Sequence, residues 1–118
     1  MAHPYQIHSD YSAGDKSSPA RQLPAVAICC DAWEAAFHES YSRDKQEYFA
    51  RTHANTAYRN SMPPLSGYQS ICDFIACVAH GMAIEAIPDA NGAKLLYAAQ
   101  VALTTIRSQP KTRQASAV

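Results

Sequence analysis

The sequence contains little that would name a reaction. It has four glycines, scattered and none beside a cysteine, so nothing supplies an oxyanion loop for a cysteine nucleophile. No CxxC or HxxxH spacing is present, so the usual zinc signatures are missing. No charge of one sign prevails. Ten Lys and Arg balance ten Asp and Glu, which argues against a general binder of nucleic acid or anionic membrane, whose affinity rests on surplus cations. No apolar run suits a membrane span of about 20 residues. The most apolar stretch, Ser66–Ile87, carries Asp73, His80 and Glu85. The first twenty residues lack the apolar core of a signal peptide, which predicts a cytoplasmic protein with its four cysteines reduced. There is no internal repeat and no sustained strand-like alternation.

What is present is helical periodicity. At 118 residues the expectation is one domain, an all-α bundle of three to four helices over residues 22–108. Residues 1–21 read as a flexible N-terminal arm, with Tyr5, Ile7 and Tyr11 as its sizeable apolar groups, and residues 109–118 as a frayed tail. Alanine supplies much of the 47% hydrophobic content. The core is therefore expected to be closely approaching helices around a few anchors: Trp33, Phe37, Phe74, Leu95, Leu96 and Leu103.

The first helix is placed at Leu23–Ser40, where Val26, Cys30, Trp33, Phe37 and Tyr41 recur at three- and four-residue steps. A second is placed over Ser42–Asn60, capped by Ser42, although no Gly or Pro lies between Ala25 and Met62 and one long helix is the alternative; Met62-Pro63-Pro64 ends it. The central helix occupies Ser66–Ile87, with Ser66 and Gln69 as a capping box. Ile71, Phe74, Ile75, Val78 and Met82 form one of its faces. Cys72, Ala76, Ala79 and Ala83 form another, so it should pack against two neighbours. Gly81 marks a bend or a close helix crossing. The last helix, capped by Asp89 or Asn91, runs to about Ser108 with Leu95, Leu96, Ala99, Ala102, Leu103 and Ile106 on one side.

The second helix carries the candidate site. Tyr48, Arg51, His53, Asn55, Tyr58 and Arg59 give it a face rich in residue types common at interaction surfaces. The competing reading is a half-buried helix whose Tyr and Arg stems lie over the core. Three chemistries rank lower. Cys77 and His80 share a helix face, and with Cys30 they are the candidates for a metal site; the expectation is that no metal or other cofactor is held. Cys77 with His80 or His53 is the candidate thiol pair, though the expectation is a protein that is not an enzyme. A small DNA-binding regulator would use Asn91, Lys94, Gln100, Thr104, Thr105 and Arg107 of the last helix, or Arg43, Lys45, Arg51 and Arg59.

The segments RTHANTAYRNSMPPLSG, DFIACVAHGM and KLLYAAQVA, spread over residues 51–101, resemble a group of small uncharacterised bacterial proteins. The resemblance implies a short, cytoplasmic, all-helical protein with no assigned activity, and carries over no catalytic or binding residue. The expected function is a non-enzymatic module that binds a protein partner, as an inhibitor or adaptor, or that associates with itself.

Overall fold

A computed structural model describes residues 12–108. The fold is all-α. A 3-10 turn at Ala20–Gln22 leads into α1 (Pro24–Asp44), followed by α2 (Glu47–Asn60), α3 (Tyr68–Ala83) and α4 (Asp89–Arg107). No described residue lies in a strand. No helix among them is long and apolar enough to cross a membrane.

Leu23–Asn60 forms two helices, as expected, but the break lies at Lys45-Gln46 and not at Ser40–Ser42. Lys45 adopts a left-handed conformation (φ 56°), and its N–H closes onto the Tyr41 carbonyl at 2.8 Å. Carrying α1 past Ser42 keeps Tyr41 stacked on Phe37, with ring centroids 5.7 Å apart. The Ser42 hydroxyl donates back to the Glu39 carbonyl inside the helix and caps nothing.

The central helix is shorter than its apolar run. Gly67 (φ 88°), and not Ser66, precedes it, and Gln69 donates to Asp73 instead of to a cap. α3 stops at Ala83 because Glu85 turns left-handed (φ 62°). The N–H groups of Ala86 and Ile87 then both reach the Gly81 carbonyl, at 2.8 and 3.1 Å. This 6→1 closure folds Ala86 and Ile87 back into the core, so their hydrophobicity serves a turn and not a further helical turn.

α1, α2 and one side of α3 enclose the main core, built on Val26, Cys29, Cys30, Trp33, Phe37, Tyr58, Cys77 and Ile87. Ala50 and Ala54 let α2 lie close on the α1 rings. The other side of α3 presents Ile71, Phe74 and Val78 to Ala99 of α4. α3 thus has two neighbours, but its second inner face is Cys77 and Gly81, whereas Ala79 and Ala83 are exposed. Gly81 marks a close approach: a Cβ there would lie 2.7 Å from Ile87 Cδ1 and 2.9 Å from Tyr58 Cε1. Trp33, Phe37 and Phe74 are buried anchors as expected, while Leu95, Leu96 and Leu103 are only partly covered.

The expected arm ends earlier than Arg21. Ala13 is fully buried, and its N–H donates to Glu34 Oε2 at 3.0 Å. Its carbonyl lies 3.1 Å from His80 Nε2. Arg21 reaches both Asp31 and Glu34 at 3.3 Å. Gly14 (φ 91°) turns the chain against the His80 ring, where little beyond hydrogen fits. Residues 12–21 therefore belong to the helical unit. Tyr5, Ile7, Tyr11 and the tail from residue 109 lie outside the described residues.

Candidate partner-binding surface

α2 is amphipathic, and its burial divides the six candidate residues. Ala50, Ala54 and Tyr58 face inward at four-residue steps. Tyr58 is fully buried, and its hydroxyl donates to the Cys77 carbonyl at 2.6 Å. Burial pushes its phenol well above the ordinary range. A side chain so placed cannot meet a partner, so Tyr58 belongs to the core. Asn55 is half-buried and accepts the Trp33 indole N–H at 2.9 Å. Arg51 lies across the stacked Trp33 and Phe37 rings, 5.9 Å from each centroid, with its Nε on Glu47 at 2.8 Å. These two residues fasten α2 to α1. Arg59 is exposed, yet its guanidinium donates to the Ala86 carbonyl at 3.2 Å.

Tyr48 and His53 remain on the outer face. Tyr48 is 75% exposed, and beside it Phe49 is 52% exposed, the two rings meeting edge-on at 5.7 Å. Phe49 was absent from the expected set. Its four-residue spacing from His53 is the signal that joins it to that set. Thr52 and Thr56 continue the face. Their hydroxyls donate back to the carbonyls of Tyr48 and Thr52, so their methyl groups make the surface less polar than its composition suggests.

The described cysteines and histidines meet in pairs and not in a cluster. Cys29 Sγ donates to Cys77 Sγ at 3.8 Å, and Cys30 Sγ and His80 both turn to the Ala13 carbonyl. The bond to Cys77 and burial hold the Cys29 thiol far above its ordinary range. The same bond lowers Cys77 against the opposing effect of burial. Burial raises Cys30. His53 is exposed on α2 while Cys77 is fully buried, so that pair is not assembled. Among the described residues, no three His, Cys, Asp or Glu side chains converge on a metal-sized site.

Two of the four cations of the candidate basic stripe, Arg43 and Arg51, are paired with carboxylates. Arg43 lies 3.6 Å from Asp44, Arg51 is held by Glu47, and Lys45 sits over the Tyr41 ring at 5.8 Å. Asn91, Lys94, Gln100, Thr104, Thr105 and Arg107 are all exposed on α4. Comparison of the chain with protein-family models, with curated proteins and with solved structures found no match.

Proposed function

We propose that this chain is a non-enzymatic interaction module that binds a protein partner through the outer face of α2. The observation that carries the reading is the adjacent pair Tyr48 and Phe49, which stand mostly in solvent on a helix whose Arg51, Asn55, Tyr58 and Arg59 side chains have structural partners. Two adjacent exposed rings are a costly surface for a chain without a partner and a favourable anchor for one with it. His53 adds a polar group one turn along. The fastening of α2 to α1 through Arg51 and Asn55, and to α3 through Tyr58, gives this face a rigid base, which lowers the ordering cost of binding.

The test is affinity capture from the native host with the full chain, with and without nuclease, beside the double variant Tyr48→Ala/Phe49→Ala. A stoichiometric protein that survives nuclease and is lost from the variant supports the reading, provided that the variant melts within roughly 4 °C of the parent, as paired surface changes do. A partner retained by the variant moves the site elsewhere. A partner lost with nuclease gives the function to nucleic-acid binding.

A further inference from the structure

We propose that α4 is the interface of a homodimer, formed by two copies of the helix packed antiparallel. α4 packs mainly on α3, and of its 19 residues only Gly92 and Ala99 are buried. Its outer side exposes Tyr97 (69%) and Val101 (48%), beside a shallow groove of about 250 Å³ that both residues line. No charged residue occurs between Lys94 and Arg107, although the outer positions of an exposed helix are ordinarily the charged ones.

The charges sit at the ends, and they are opposite. Asp89 opens α4 and Arg107 closes it, both exposed and neither in an ion pair with another described residue. A second copy running antiparallel sets Asp89 of each chain against Arg107 of the other, and a parallel copy would oppose like charges. At 3.6 residues per turn Asp89 and Arg107 lie on one flank of the Tyr97 and Val101 stripe, so the two copies pair their charges along that flank, and Ala98, midway along the helix, lies on the opposite flank. Each Tyr97 then falls within one turn of the partner's Gln100 and Val101, at the rim of the groove. The helix is about 28 Å long, so the contact belongs with small, transient interfaces and a Kd on the order of tens of micromolar. This face is separate from the outer face of α2, and the proposal does not depend on that face being used.

The test is sedimentation equilibrium of the full chain from about 1 µM to about 1 mM, a range that spans the expected Kd. The expected result is a monomer–dimer equilibrium. Asp89→Arg alone and Arg107→Asp alone each raise Kd about tenfold, because each sets like charges together at both ends. An equimolar mixture of the two variants restores the parent affinity as a heterodimer, which also shows that both are folded. Tyr97→Glu, with unchanged helicity, stays monomeric. A monomer across the whole range overturns the proposal. So does a dimer indifferent to Tyr97→Glu, which would lie on another face, or a mixture that associates no better than its components.

Discussion

At the residue scale, Tyr58 illustrates how composition alone misassigns a polar aromatic. Its ring fills the space between α2 and α3, and its hydroxyl has one strong acceptor, the Cys77 carbonyl. Two substitutions separate these contributions. Tyr58→Phe removes the hydroxyl and should cost about 1 kcal/mol in urea unfolding. Tyr58→Ala also opens a cavity beside Gly81 and Ile87 and should cost roughly 3–5 kcal/mol, a large share of the stability of a domain this size. Similar losses for both would mean that the hydrogen bond, and not the ring, carries the effect. Arg51 and Asn55 follow the same logic. Each has a polar end that a partner would find attractive, and each uses it on α1.

At the scale of the element, both hairpin turns depend on left-handed residues that are not glycine. Lys45 closes α1 and Glu85 closes α3. An L residue in this conformation costs roughly 1 kcal/mol, and glycine returns part of that gain through the greater freedom of its unfolded chain. Glu85 is exposed, and the hydrogen bonds onto Gly81 are made by backbone. Glu85→Gly should therefore raise stability by about 0.5 kcal/mol, read as an increase in Tm at unchanged helicity. A fall in Tm would mean that the Glu85 side chain contributes more than its exposure indicates.

At the scale of the whole molecule, two hydrophobic clusters share α3, and they differ in how completely they are closed. The larger has helices and the Ser12–Gln22 segment on several sides. The smaller has α3 on one side and α4 on the other. Local opening should follow that difference. In hydrogen exchange at submicromolar concentration, amides of α4 should exchange about tenfold or more faster than those of α1. Raising the concentration into the range of the proposed dimer should slow α4 selectively. Uniform exchange across both helices at low concentration would mean that the two clusters open as one unit.

The sequence by itself determined the all-α class, the central place of α3 and the apolar stripe of α4. These follow from short-range spacing, which sets the face of a helix without reference to its neighbours. It also marked Gly81 as a place of close approach. It did not determine whether Leu23–Asn60 is one helix or two, nor where α3 stops, since apolar residues continue past Ala83 to Ile87 and only the fold-back onto Gly81 separates helix from turn. Nor did it place Ser12–Arg21, a stretch without periodicity that is held by Glu34 and His80 from positions distant along the chain. The division of the α2 candidates into core and surface was decided by tertiary structure for the same reason. Tyr48 and Tyr58 are one residue type on one helix, and Tyr58 is core because it shares the inward face of Ala50 and Ala54 and meets α3. Spacing shows which side chains share a face, and burial depends on what packs against that face.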